Sequence, residues 1–413
     1  MIFPPSCILP EWPAVVLRRN GTSKTRCVVG TINEEGTPEI IGHSEHKSLG
    51  MRRGVVIHSD EIAESIIHAV NEVEKLSGRS VSSATVNING SHVEGIDSHG
   101  VIAISAANRE VQEEDRVRVE EAASVMKMPA NREIIQVFPK EYSLDGQGGI
   151  KDPIGMQGVR LEVDTHIVTA SVPNVKNLEQ AFESASLVIK HKTISSLAAA
   201  EAVLTRQQRE SGTAIVDIGA GTTNIIVVED GEVQHVAVIP VGGVHVTNDL
   251  AIGLKVDLDL AEELKIQHAS IIKPSRTTAS IKFNGEQQTF DMSEVHMIVE
   301  ARMEELLELV NKELKKINKA KKLPGGIVFS GGGSKLAGLD ESARDILDLP
   351  ARVAEVLPVS GLSDISKDIS YATPIGLMLL DMLLDGQSST QTTAYNSTLN
   401  SVAKLFSRIR RKK

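Results

Sequence analysis

The stretch TAIVDIGAGTTNIIVVEDGEVQHVAVIPVGG, residues 213–243, reads as three β-strands joined by tight turns. Its first β-branched run closes on Asp217, turns through Gly219 and Gly221, and offers Thr222 and Thr223 before the next run begins. Glycines at such a turn let backbone N–H groups approach phosphate oxygens, and a carboxylate at the strand end can hold a magnesium ion through water. The same residues also make an ordinary hairpin turn, because Asp and Gly recur in turns of every kind. The rest of the chain has to decide between the two.

Working outward, TRCVVGTINEEGTPEIIGHS at residues 25–44 has the same run of strand, turn and strand, so an internal duplication of a hairpin sheet is expected. Just before it, Gly21, Thr22, Ser23 and Lys24 form a hairpin tip placed like the Gly219–Thr222 turn, as two loops clamping one polyphosphate would be. A third segment, GGIVFSGGGSKLAGL at residues 325–339, puts Gly331, Gly332 and Gly333 after a strand and Ser334 at a helix start. Alone it is either a close-packed strand-to-helix turn or a ligand loop. Three such segments in one chain point to a nucleotide.

The alternation of β-branched runs with helical patterns gives α/β layering with covered sheets. In DEIAESIIHAVNEVEKLSG, residues 60–78, Ile62, Ile66, Ile67, Val70 and Val73 fall at helix spacing and Gly78 ends the pattern. The stretch from about 84 to 163 differs in character: a strand pair around NINGSHVEGIDSHGVIAIS, a charged helix from Glu110 to about Met128, and the turn DGQGG. It reads as an inserted subdomain. Beyond it come a polar strand pair, ASIKFNGEQQTFDM, and a long charged helix from Ser293 that stops before Pro324 and Gly325.

The bulk properties exclude several classes. At 413 residues the chain exceeds the roughly 250–300 residues of a single core and divides into domains. A net charge of −10 and 3% aromatic residues disfavour a nucleic-acid partner, which needs cations and stacking surfaces. Cys7 and Cys27 form neither a disulfide framework nor a metal site. The proline-broken N-terminus lacks a basic start and is not expected to be a signal peptide. The most apolar run, IGLMLLDMLL, is short and holds Asp381, so no spanning helix is expected and any membrane contact is peripheral.

Such a contact is written at the end of the chain. GQSSTQTTAYNSTLN, residues 386–400, has the composition of a flexible linker. Residues 401–413 then place Val402, Leu405, Phe406 and Ile409 on one helical face, with Lys404, Arg408, Arg410, Arg411, Lys412 and Lys413 around it. These six cations leave −16 on the remainder, and a basic amphipathic end on an acidic body suits anionic lipid. Docking on the protein's own body, or on nucleic acid, is the competing use of such a tail.

From Ala14 to Leu384 the order of two phosphate hairpins, connecting helices and a Gly-rich loop resembles the actin, Hsp70 and sugar-kinase superfamily. Within it the chain is most similar to the FtsA family, on the stretches GMRRGVVIHSDE, VNINGSHVEGIDSHGV, LDGQGGIKDPIGMQGVRLE and IVDIGAGTTNI. The resemblance implies an actin-like duplicated α/β fold of two lobes around a nucleotide cleft. The first-lobe core would be 14–83, 164–198 and about 362–385, with the insert at 84–163. The second-lobe core would be 199–240 and about 306–361, with a small subdomain at 241–305. It also implies ATP and Mg²⁺, with Gly21, Thr22, Ser23 and Lys24 on the phosphates and Asp217, Gly219, Gly221 and Thr222 opposite. Gly331, Gly332 and Gly333 would lie at the adenosine, and Glu262 and Lys265 would contact ribose and adenine, although Glu and Lys three apart also form plain surface pairs. SSLAAAEAVL and YATPIGLMLL resemble the two connecting helices, with Ala198, Ala372 and Gly376 small enough for close packing. Implied partners are the FtsZ C-terminal tail, further copies of the chain in a filament, anionic lipids of the cytoplasmic membrane face, and later division proteins at the insert.

One departure stands out. The family's first loop reads Asp-x-Gly-Thr, whereas Arg19 here stands two before Gly21. Either a cation replaces a magnesium-organising carboxylate, which puts hydrolysis in doubt, or the first twenty residues are not native. A pilus-assembly relative, and a soluble phosphotransferase or phosphatase of the same superfamily using Asp217, are the competing functions; the latter needs a base where the chain offers Ser195 and Ser196.

Overall fold

The computed structural model describes residues 14–19, 24–106, 108–125 and 129–388. Two sheets carry the same topology. In the first the order is Val188–Ile194, Ser83–Ile88, Ala14–Arg19, Lys24–Ile32, Pro38–Lys47, with the short Ser360–Gly361 beyond. In the second it is Ala351–Val353, Ile327–Ser330, Thr213–Ile218, Thr223–Glu229, Glu232–Ile239. In both, the first three strands in chain order form an antiparallel meander, and the later two add in parallel beside the first of them. The counterpart of Thr213–Ile218 is therefore Ala14–Arg19, not the strand through Thr25 that heads the matching segment in the sequence. Prolines up to Pro13 obscure that strand's start, and none falls within it.

Thr213–Ile218 and most of Thr223–Glu229 are buried on both faces, which is why they read as near-continuous apolar runs. Successive residues serve different cores. Ile215, Ile226 and Val228 pack toward the first lobe, while Ala214, Val216, Ile218, Ile225 and Val227 pack on the outer helices of the second.

Between the sheets, helix Ser195–Val203 crosses helix Ala372–Ser388. A Cβ at Gly376 would sit 1.7 Å from the Ala198 carbonyl oxygen, and Ala198 and Ala372 are wholly buried. Asp381, in the same apolar helix, is buried against the Thr85 hydroxyl and lies 3.5 Å from the Lys190 ammonium. Helix Ser59–Ser77 covers the first sheet with Ile62, Ile66, Val70 and Val73; Ile67 falls off that stripe and is exposed. Gly78, at φ +66°, ends it by donating to Glu74 O at 2.9 Å.

The insert is a sheet in the order Glu94–Ala103, Arg160–Ser171, Arg132–Leu144, Gln147–Ile150, with Val119 of helix Glu113–Ser124 packed over Tyr142, Leu161 and Val163. The strand pair expected around residues 87–105 is divided between two sheets: Ser83–Ile88 belongs to the first lobe and only Glu94–Ala103 to the insert. They part at Gly90, whose φ of +126° lets the chain press against Gly54. At the far end Arg160–Ser171 stays paired with Glu94–Ala103 through Thr169 and, across register shifts after Asp164 and Val168, with Arg132–Leu144 through Ser171, so residues 164–171 lie in the insert sheet. Strand pairing thus moves the expected insert boundaries of 84 and 163 to after Ile88 and after Ser171.

Residues 241–305 hold helices Gly243–Leu254 and Leu258–His268, the hairpin Thr278–Phe283 with Glu286–Asp291, and the start of helix Met292–Lys316. Asn284 and Gly285 both take positive φ, as a two-residue hairpin turn requires.

Gly376→Ala should lower stability by about 1–3 kcal/mol through overpacking at the crossing. Gly332→Ala, where a Cβ meets open space, should leave it unchanged; urea unfolding of the two variants provides the comparison.

Candidate nucleotide cleft

Strand Thr213–Ile218 carries Asp217 next to its end, opposite Asn224 on one side and Ser330 on the other. Its carboxylate is 1% exposed and lies 3.5 Å from Thr373 Oγ, at the start of the crossing helix. The following turn is closed by the Gly219 N–H donating to Thr222 O at 2.9 Å. The loop entering helix Gly243–Leu254 packs onto it, with the Gly243 N–H on Gly219 O at 2.9 Å and the Val244 N–H on Ala220 O at 2.8 Å. A Cβ on Gly242 would meet Gly219 O at 2.6 Å, so only glycine allows this approach.

Glu262 and Lys265 are more than a surface pair. Lys265 Nζ donates to Glu262 Oε2 at 2.6 Å, to Thr247 Oγ at 2.8 Å and to Gly243 O at 3.1 Å, tying helix Leu258–His268 to the loop that backs the Gly219–Thr222 turn. The third glycine segment closes over the same place. A Cβ on Gly331 would lie 2.4 Å from Asp217 Oδ1 and one on Gly333 2.3 Å from Ile218 Cγ2, whereas Gly332 faces open space. Ser334, buried, donates to Gly331 O at 2.7 Å. The structure therefore brings Asp217, Gly219, Gly221, Thr222, Glu262, Lys265, Gly331, Gly332 and Gly333 to one end of the second lobe.

Gly21, Thr22 and Ser23 lie outside the described residues, and Lys24 opens a strand with its half-exposed ammonium paired with Glu45. The first lobe reaches the turn through Asn89, whose Nδ2 donates to Thr222 Oγ at 3.2 Å. Sequence reading missed Asn89, Thr247 and Thr373. The duplication holds a signal for the first: the fourth strand of each sheet ends in a polar residue and a positive-φ glycine, Asn89-Gly90 and Ser330-Gly331. Thr247 and Thr373 carry no local mark.

A second bridge borders the cleft. Lys335 Nζ lies 2.8 Å from Asp368, which accepts the Ser370 N–H at 2.9 Å, and Arg26 donates to Ser370 O at 2.9 Å while stacking over Tyr371. Burial alone would raise the Asp368 carboxyl, but the Lys335 ammonium and the Ser370 N–H outweigh it and hold it below the usual aspartate value.

Magnesium binds through one or two carboxylates plus phosphate oxygens and waters. Neither Ala14–Arg19 nor Lys24–Ile32 carries a carboxylate, and among the described residues no group of three His, Cys, Asp or Glu could hold a metal. Asp217 alone fits a magnesium carried in by a nucleotide rather than a protein-only site. The buried Ser330 hydroxyl, without a hydrogen-bond partner beside Asp217, is a group that a cleft-bound oxygen would satisfy.

Two sheets of one topology, crossed by two helices and meeting at glycine turns, define an actin-like protein. Solved structures share that fold: the PilM–PilN type IV pilus biogenesis complex at TM-score 0.65 and 18% identity, over 90% of this chain and 99% of that one, and Spiroplasma citri MreB5 bound to ADP at 0.55 and 14%, over 92% and 99%. Residues 90–169 match the SHS2 domain inserted in FtsA, and 214–376 match cell division protein FtsA. The chain is 34% identical to the cell division protein FtsA of Pseudomonas aeruginosa over 398 residues, 95% of each, and 36% identical to that of Bacillus subtilis over 363 residues, 87% and 81%. The chain belongs to the FtsA family of cell division proteins.

Because the folded value of Asp368 is lowered, its stabilisation is present above an ordinary aspartate pKa of 3.8 and is lost as pH falls through the folded value. Asp368→Asn should flatten the pH dependence of thermal unfolding between about pH 5 and 3; an unchanged profile would count against the bridge.

Proposed function

We propose that this chain binds magnesium-ATP in the cleft, assembles into actin-like filaments, and tethers FtsZ to the cytoplasmic membrane face at the division site. The observation that carries the reading is the meeting of the Gly219–Thr222 turn and the Gly331–Gly333 segment over one buried carboxylate. Asp217 would hold the magnesium through water. Bound, the ion would neutralise phosphate charge. The turn would cradle phosphates with its backbone, joined by Gly21, Thr22, Ser23 and Lys24 from the first lobe. Gly331, Gly332 and Gly333 would border the adenosine, with Glu262 and Lys265 toward the ribose. For a phosphotransferase the base is missing at the expected place: Ser195 and Ser196 are buried, and the Ser195 hydroxyl already accepts from Asn87 at 2.6 Å.

The FtsZ tail is assigned to residues 241–305, where Ile252, Leu258, Ile266, Ile272 and Met297 are exposed apolar side chains. The insert is the surface for later division proteins. Among the described residues no helix is long and apolar enough to cross a membrane. Attachment is assigned to Val402, Lys404, Leu405, Phe406, Arg408, Ile409, Arg410 and Arg411, outside the described residues. Each cation near an anionic leaflet adds about 1 kcal/mol and the apolar face about 25 cal/mol per Å², so one copy binds reversibly and a filament firmly.

Asp217→Ala should weaken magnesium-ATP binding by about 10–100-fold in calorimetry; wild-type affinity would remove Asp217 from the site. Phe406→Glu should leave unfolding unchanged and release the protein from anionic liposomes in flotation, and flotation like the wild type would sink the tail assignment.

A further inference from the structure

His166 lies in the insert strand Arg160–Ser171, 1% exposed, where the insert meets the edge strand Glu232–Ile239 of the second-lobe sheet. An edge strand presents backbone N–H groups with no neighbouring strand to take them. Here Val236 N–H donates to His166 Nε2 at 3.0 Å. A nitrogen that accepts carries no proton, so the proton sits on Nδ1, which donates to Asp97 Oδ1 at 2.6 Å. The two bonds together demand one neutral tautomer. Asp97 is held as a carboxylate, at a pKa of about 2, by the His166 hydrogen bond first, against burial and with help from Lys140.

The surroundings are built to the same end. A Cβ on Gly95 would fall 2.2 Å from His166 Nε2 and 2.6 Å from Val236 O, so the insert comes this close only with glycine there. The His235 ring lies 5.4 Å from that of His166, and its Nε2 is 3.3 Å from Glu313 on the long helix. Burial lowers the pKa of His235. The Val236 strand runs into Gly242 and Gly243, the loop that hydrogen-bonds to Gly219 O and Ala220 O.

We propose that His166 is a positioning residue through which the state of the nucleotide cleft is passed to the insert, by way of the Val236 strand and the loop backing the Gly219–Thr222 turn. The proposal rests on the nucleotide reading of that turn. It makes the orientation of the insert, and so the surface it offers to partners, depend on what the cleft holds.

Hydrogen exchange on the full chain, with and without magnesium-ATP, tests it, alongside binding of a fluorescent ATP analogue. In the wild type ATP should slow exchange at residues 219–222 and also in the insert strands 94–103 and 160–171. Gly95→Ala, which wedges the seam from the insert side, should keep ATP affinity and the response at 219–222. It should lose the response in the insert and expose the Val236 amide to exchange about tenfold faster. ATP binding with no change in the wild-type insert, or an insert response that survives with Val236 exposed, would overturn the role of His166 and leave the cleft reading standing. Absence of ATP binding would overturn the cleft reading and the role of His166 with it. The wild type also decides without any variant: ¹⁵N spectra of His166 should show the Nδ1–H tautomer, and an Nε2–H tautomer overturns the proposal.

Discussion

The approach of Gly376 to the Ala198 carbonyl is the constraint on which the rest of the structure depends. Two helices crossing this closely cannot be separated by side chains, so the sheet each one covers is drawn toward the other and a single core forms between them. That core includes Val28, Ile62 and Met378 from the first lobe and Ile215, Ile226 and Val328 from the second. The crossing also sets the site, because Thr373, one turn before Gly376, reaches the Asp217 carboxylate.

Polar groups follow the seams that this packing creates. Burying a polar group is costly unless it is hydrogen-bonded, so buried polar side chains collect where separate bodies must be joined in one geometry. Asn87 and Ser195, Asn89 and Thr222, and Thr373 and Asp217 are such pairs. The insert is held on two sides. Gln136 donates to Thr193 Oγ at 3.0 Å and accepts the Ile194 N–H at the edge of the first-lobe sheet, while His166 takes the Val236 N–H at the edge of the second. An added subdomain thereby covers one edge of each lobe with a side chain that both donates and accepts.

Charge is distributed with equal economy. Asp217 is the one carboxylate on the strands of the two hairpins that meet the cleft, apart from Glu229 at the far end of its own hairpin. A lone acid is poor at holding a bare cation and adequate for one that arrives with phosphates. Glu262 and Lys265 neutralise each other while bracing the loop behind the turn, so they add rigidity there without adding net charge.

Much of this was legible in the residues. The apolar runs of 213–218 and 223–229, the stripe of Ile62, Ile66, Val70 and Val73, the stop at Gly78 and the glycines of three turns are local signals, since period, β-branching and positive φ act within a few residues. The separation of Ser83–Ile88 from Glu94–Ala103 was not legible, because a strand's own sequence does not say which sheet its hydrogen bonds will join. Nor were Asn89, Thr247, Thr373 and His166, each an ordinary polar residue until a partner far along the chain is brought beside it. The sequence by itself determined the repeated strand pattern, the glycine-rich turns and the family. Only the tertiary structure decided which strands pair across the lobes and which polar atoms meet at their seams, because those depend on contacts between residues tens to hundreds of positions apart.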